Sequence, residues 1–457
     1  MKTLAEQLAK YAAGLKFDDL PAAVVHEVKR RVIDSFGCAL GAWNADPCVI
    51  ARRVASQFSA ERGATLLGTR HRSPPDWTAF ANGCLIRYFD YNDTYLSKEP
   101  AHPSDNISAA LAAAETTGAS GRELIVAIAL AYEVQCRFCD ATSIRARGWD
   151  HVTYGAFSSA LAAARLMKLD EERTRHAIGI AGVASAALRQ SRVGELSHWK
   201  GCAFANAARH GVYSAMLARE GMTGPAPIFE GEKGFEKLVS GPLPARVSEW
   251  GNRQNGDFMI VKTCIKFWPA EYHSQSAIEA ALKLRKQVKG TDEIESVLIQ
   301  SHDAAVDIIG SEPEKWRPTQ RETADHSLPY ITAAALMDGE VTEKQFAPKR
   351  FTEAKLVDFV QRVKVERHTE LSAKYPEAVG NIVTLRMRNG NTLTERVDYP
   401  RGHARNPLTD AELEDKFLSL ANPLLNRDQV ESLLHWLWHL DEKSNVSEVW
   451  PLLEVRQ

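Results

Sequence analysis

Apolar side chains recur at helical spacing through residues 4–221. Val24, Val28, Val32, Phe36 and Leu40 form an i+4 series, the stripe of a helix that buries one face. Leu4, Leu8, Tyr11 and Leu15 mark a second face, with Thr3 and Glu6 at capping-box spacing ahead of it. The same periodicity predicts helices over 76–91, 106–117, 122–139, 171–187, from His151 to Met167, and from Lys200 to Gly221. Many of these are rich in alanine and glycine, which lets neighbouring axes approach closely, so a compact bundle is expected.

The pattern changes near Val261. Residues 293–302 and 359–367 alternate with period two, as strands do. Residues 381–388 and 392–399 flank Asn389-Gly390, a dipeptide suited to a tight hairpin. Helical patterns over 273–289 and 323–337 lie between them. Helices return after Gly402, with a second capping box at Thr409 and Glu412 and the apolar run VESLLHWLWHL over 430–440. The expected fold class is mainly α. A large all-α helical domain is formed by both chain ends, residues 1–262 and 404–457, with a smaller α+β domain inserted at 263–403.

Composition narrows the function classes. A chain of 457 residues is long for one domain, in line with two. A net charge of −2 argues against a nucleic-acid-binding face or a polybasic membrane anchor. No run of apolar residues is long enough to span a membrane, and Lys10, Asp18 and Asp19 interrupt any signal-like core, so a cytoplasmic protein is expected. Seven cysteines, an odd number in so long a chain, are not a disulfide framework. Cys136 and Cys139 form a C-x-x-C inside a helical pattern, with no further ligands close in sequence. They read as packed thiols rather than a zinc or iron–sulfur site.

Five polar stations interrupt the apolar pattern. Asp90, Asp93, Thr94 and His102 gather in RYFDYNDTYLSKEPAHPSDN, where Pro103 can open a helix. His151 stands in RGWDHVTYGAF, Lys200 in SHWK, and Lys266 and His273 in KFWPAEYHSQ. Asp325, His326 and Tyr330 stand in RETADHSLPY. Each has an ordinary explanation: a capped helix end, a hydrogen-bonded histidine, a lysine lying over Trp199. Lys200, however, sits at the start of a helix, where the dipole opposes a cation, so a role toward an anion is favoured over a stabilising one. The chain holds no dinucleotide or phosphate-binding glycine loop, no H-E-x-x-H and no G-x-S-x-G. Lysines and imidazoles without a cofactor motif suit cofactor-free acid–base chemistry on a small polyanion.

The motifs YFDYNDTY, AHPSDN, SHWKGCAFANAARHG, KFWPAEYHSQ and RETADHSLPY resemble the MmgE/PrpD family over about residues 3–455, most closely its 2-methylcitrate dehydratase branch. The resemblance implies a helical domain with an α+β lid, a homodimer, no iron–sulfur cluster, no metal and no other cofactor. It implies removal of water from 2-methylcitrate, a tricarboxylate. Decarboxylation of cis-aconitate or epimerisation of an amino- or imino-diacid are the alternatives within the family, and a non-enzymatic helical scaffold is the alternative outside it. Carried onto this chain, His102 and His151 are base and acid in either order, and Asp90 orients one imidazole. Lys266 and Lys200 meet carboxylates and developing negative charge. Thr94, His326 and Tyr330 complete the substrate-binding set.

Overall fold

A computed structural model describes residues 2–455. Met1, Arg456 and Gln457, the outermost residues of the expected segments 1–262 and 404–457, lie outside the described residues. Both capping boxes close: Thr3 accepts from the Glu6 N–H ahead of the helix Leu4–Gly14, and Thr409 from the Glu412 N–H ahead of Asp410–Ala421, with each glutamate reaching back to its threonine. Each box satisfies backbone donors that a helix start leaves orphaned.

Two apolar cores divide the chain. The larger gathers side chains from Leu4 to Ile265 and again from Leu408 to Leu453, so the C-terminal helices Asp410–Ala421 and Arg427–Trp438 belong with the N-terminal ones. The smaller runs from Trp268 to Val397. Within the larger core, helices touch at glycines. A Cβ on Gly211 would lie 2.7 Å from the backbone of Ala160, and one on Gly155 would lie 2.4 Å from Phe204. These positions lock Val152–Leu166 against Trp199–Arg219, the helices that hold His151 and Lys200.

The smaller core packs helices on a four-stranded sheet in the order Val363–Arg367, Ile294–Ser301, Asn381–Met387, Thr392–Val397. The first pair is parallel, with Val297 opposite Val363. The others are antiparallel, with Ile299 opposite Val383 and Leu385 opposite Leu393. Asn389-Gly390 makes the hairpin, Gly390 taking a φ of 87° that a side chain would disfavour. Two expectations need correction. Residues 359–360 end the helix Ala354–Val360, and only Val363–Arg367 is strand. The helix expected over 323–337 breaks into Arg321–Ala324 and Leu328–Asp338, because Ser327 caps the second and Pro329 occupies its first turn. The break turns Asp325 and His326 out of the helical ladder.

One lysine fastens the C-terminal helices to the rest. Lys416 Nζ lies 2.6 Å from Asp34 Oδ1 and donates to the carbonyls of Tyr91 at 2.7 Å and Lys266 at 2.8 Å. Both Asp34 and Lys416 are buried. Lys416→Ala is expected to cost about 3–5 kcal/mol, because the Asp34 carboxyl, already raised by burial, loses the ion-pair partner that offsets it. A double substitution, Asp34→Asn with Lys416→Met, should recover most of that loss. Urea unfolding of the three proteins checks both; an undiminished Lys416→Ala would remove the bolt.

Candidate active site

The helix Pro75–Arg87 ends where the chain turns sharply at Asp90, whose φ is 51°. Asp93 and Thr94 then pair antiparallel with Ile265 and Cys264. That short ladder sets Lys266 beside Asp90, although 176 residues separate them. A bridge between Tyr95 and Ala101 closes the following loop and delivers His102 to the first turn of Pro103–Asn106. The Glu271 N–H donates to the Asp325 carbonyl at 2.9 Å, tying KFWPAEYHSQ to RETADHSLPY.

Asp90 is the electrostatic centre of these segments, 1% exposed. Its carboxylate meets Arg87 Nη1 at 2.8 Å, Lys200 Nζ at 3.0 Å and His326 Nε2 at 3.3 Å, and Lys266 Nζ more closely still. Lys266 also donates to the Asp90 backbone carbonyl at 2.7 Å. Burial would raise the carboxyl, but Arg87, Lys200 and Lys266 outweigh it and hold Asp90 well below the usual carboxylate range. Lys200 bridges onward to Asp325 at 3.2 Å, and Asp325 accepts from His326 Nδ1 at 2.7 Å. Burial lowers His326, Lys200 adds to that, and Asp325 and Asp90 pull the other way.

Two further imidazoles stand 5.8 Å apart, ring centre to ring centre. His102 Nδ1 lies 2.8 Å from the Asp93 carbonyl, which only accepts, so Nδ1 carries hydrogen and Nε2 is bare in the neutral ring. Burial, then Arg87 and Lys266, hold His102 well below its ordinary value and keep it neutral. His151 Nδ1 lies 2.9 Å from Asp150 Oδ1, at the start of Val152–Leu166. Its Nε2 is buried and has no partner among the described residues.

A cavity opens over these groups, lined by Asp90, Thr94, His102, His151 and His326. The same walls carry Arg87, Arg145, Arg189, Arg192 and Lys315, against only Asp90, Glu99 and Glu271 among the acids. Glu99 accepts from the N–H groups of Ile144 and Arg145 at 2.8 and 3.0 Å, which fixes the turn presenting Arg145. Arg145 and Arg189 have no ion-pair partner among the described residues. Burial lowers the Arg189 guanidinium from its ordinary value, Arg145 and Arg192 add to that, and Glu99 and Asp150 pull the other way. Leu96, Leu196 and Ile308 supply an apolar part of the lining.

The sequence-selected residues thus fall into three groups. His102, His151, Asp90, Thr94 and His326 line one cavity. Thr94 Oγ1 donates to the Ala101 carbonyl at 3.2 Å. Lys200 and Lys266 adjoin the site without lining that cavity. Read from the sequence as cations for a substrate, they are committed to Asp90, and Lys200 to Asp325 as well, so its role in holding the fold is larger than the helix dipole suggested. Tyr330 stands apart: its hydroxyl donates to the Gln345 carbonyl inside the smaller core. Asp90 does not orient His102, from which it is 3.9 Å away; the Asp93 carbonyl does. Sequence reasoning missed Asp150, Arg87, Arg145, Arg189, Arg192 and Lys315. Asp150, next to His151, and Arg87, three residues before Asp90, carried a local signal.

Asp90, Asp325 and His326 converge as metal ligands do. The place between the two carboxylates is held by the Lys200 ammonium, which supplies the positive charge there. All seven cysteines are buried and unpaired, Cys136 and Cys139 within the helix Gly121–Ala141. Among the described residues, no helix is long and apolar enough to cross a membrane.

The MmgE/PrpD N-terminal domain matches residues 6–247, and the MmgE/PrpD C-terminal domain matches residues 268–440. The chain is 28% identical to the 2-methylcitrate dehydratase of Escherichia coli (strain K12), over 87% of this chain and 86% of that protein. It is 27% identical to the 2-methylcitrate dehydratase of Cupriavidus necator, over 85% and 84%. It is 26% identical to the cis-aconitate decarboxylase of Homo sapiens, over 99% and 95%. With both domains matched across most of its length, the chain belongs to the MmgE/PrpD family.

Proposed function

We propose that the protein is a cofactor-independent hydro-lyase that removes water from 2-methylcitrate to give 2-methylaconitate, with citrate as a second substrate. The observation that carries this reading is the pair of guanidiniums without an ion-pair partner, Arg145 and Arg189, in the wall of a cavity that also holds two imidazoles, His102 and His151. A part-buried guanidinium with no direct ion-pair partner favours an incoming carboxylate, which it grips through paired N–H donors. Arg192, paired with Asp150, and Lys315, paired with Glu312, add positive charge to the same wall. Leu96, Leu196 and Ile308 suit an alkyl substituent.

In the reaction, a base takes the proton from the carbon beside a carboxylate and the C–H electron pair stays on carbon. That pair forms the double bond as the C–O bond breaks, and the departing hydroxyl leaves as water after gaining a proton. His102 and His151 are the proton carriers. Arg145 and Arg189 stabilise negative charge that builds on the carboxylate side, above the floor that Asp90 forms with Arg87, Lys200 and Lys266. Thr94 is placed to hydrogen-bond the substrate, and His326 completes the floor.

We also propose a homodimer. Val183, Leu188, Val193 and Trp199 are 64%, 65%, 44% and 49% exposed in one stretch beside the cavity wall, more apolar surface than an isolated loop ordinarily shows to water. A cytoplasmic setting fits a chain with free buried thiols.

Three outcomes are expected. Incubation with 2-methylcitrate should raise ultraviolet absorbance as the new double bond forms, with 2-methylaconitate identified by mass. Carbon dioxide release from cis-aconitate, without hydration chemistry, would overturn the assignment in favour of decarboxylation. Arg189→Ala should lower kcat/KM about 10–100-fold, the worth of one charged hydrogen-bonded contact, with Arg189→Lys recovering only part. An Arg189→Ala enzyme with unchanged kcat/KM would take Arg189 out of substrate recognition. Light scattering should give twice the chain mass, and Leu188→Glu with Val193→Glu should shift it toward one; a monomeric native protein would end the dimer proposal.

A further inference from the structure

Asp150, fully buried next to His151, has no task in the elimination described above. Asp150 Oδ1 lies 2.9 Å from His151 Nδ1. Its Oδ2 accepts from Ser191 Oγ at 2.7 Å and from Arg192 Nε at 2.9 Å. Its backbone N–H donates to the Ala187 carbonyl at 2.8 Å. Burial would raise the carboxyl, but Arg192 and His151 hold it well below the usual range, so it is ionised and can only accept. His151 Nδ1 therefore carries hydrogen, and the unpartnered Nε2 is the atom left for proton exchange with the cavity.

We propose that Asp150 is the positioning residue for proton transfer at His151, fixing the ring with Nε2 available to the substrate and compensating the imidazolium whenever Nε2 holds a proton. If Nε2 takes the carbon-bound proton, the C–H pair stays on carbon and expels the hydroxyl. If Nε2 begins protonated, it gives that proton to the hydroxyl as the C–O bond breaks. In both directions the Nδ1 hydrogen stays on His151 and Asp150 stays ionised. The second half of the carboxylate holds Ser191 and Arg192, so the segment carrying Arg189, Arg192 and Leu196 keeps its place in the cavity wall relative to the imidazole. Proton transfer and carboxylate recognition are thus aligned by the two oxygens of one side chain.

The kinetic test rests on the functional reading above; the spectroscopic one does not. Asp150→Asn keeps the volume and one acceptor, so a purely structural tie is largely preserved. Its kcat for 2-methylcitrate should fall about 100-fold or more, with KM within about threefold, the scale of a positioned proton transfer. Asp150→Glu, which restores the charge, should recover at least about tenfold of that loss. A kcat for Asp150→Asn within about threefold of the native enzyme would overturn the proposal, as would a loss that only tracks the folded fraction by circular dichroism. In the native protein, nitrogen-15 histidine resonances, with His151 identified by its absence in His151→Gln, should show a protonated Nδ1. A bare Nδ1 on His151 would overturn the proposal even if Asp150→Asn fails to fold. Should no hydroxy-polycarboxylate be turned over, the functional reading fails while a protonated Nδ1 still upholds the hold of Asp150 on His151.

Discussion

The charge of Asp90, buried where water does not reach it, is the constraint from which the rest of the site follows. An isolated carboxylate there would cost far more than a protein's whole stability, so it persists only because cations surround it. Those cations come from distant parts of the chain: Arg87 from the preceding helix, Lys200 from Trp199–Arg219, Lys266 from the short ladder, and His326 from the smaller core. Bringing them together brings together the two cores. The left-handed backbone at Asp90 is the local cost of turning the carboxylate toward all of them.

This arrangement separates two kinds of positive charge. Lys200 and Lys266 are consumed by Asp90, and so build a rigid floor of nearly balanced charge. Arg145 and Arg189 have no such partner and remain attractive to an anion. The lysines in recognisable motifs are thus ion-paired, while two arginines in unremarked segments are not. The histidines divide similarly: a backbone carbonyl orients His102, whereas a carboxylate orients His151.

Most of the fold was legible because its signals are local. Capping boxes at Thr3 and Thr409, the i+4 apolar series from Val24 to Leu40 and the Asn389-Gly390 turn act within a few residues of themselves. The break at Asp325–Ser327 was hidden because Thr323 to Met337 keeps an apolar helical pattern, and only the Ser327 cap and Pro329 betray it. The polar stations were visible as places where charged groups interrupt small-residue helices. Their pairing was not, since nothing near Lys266 announces Asp90. Arg145, Arg189 and Lys315 resemble any surface cation in sequence, and only the fold turns them into one wall. Tyr330 misled because its motif neighbour His326 does reach the cavity, while the intervening cap rotates the tyrosine into the smaller core.

The split of the larger core between the two ends of the chain has a consequence for biogenesis. Helices that emerge first from the ribosome cannot bury their apolar faces fully until residues 408–453 have been made, and Asp34 has no counter-ion until Lys416 arrives. The segment from Trp268 to Val397 has all its core partners within itself and is complete earlier, though it is synthesised later than the first helices. Contacts of such long sequence separation are slow to form. Through the interval, alanine-rich helices with open seams are exposed to one another and to other nascent chains, so the yield of active protein depends on how they are shielded until residues 408–453 have emerged.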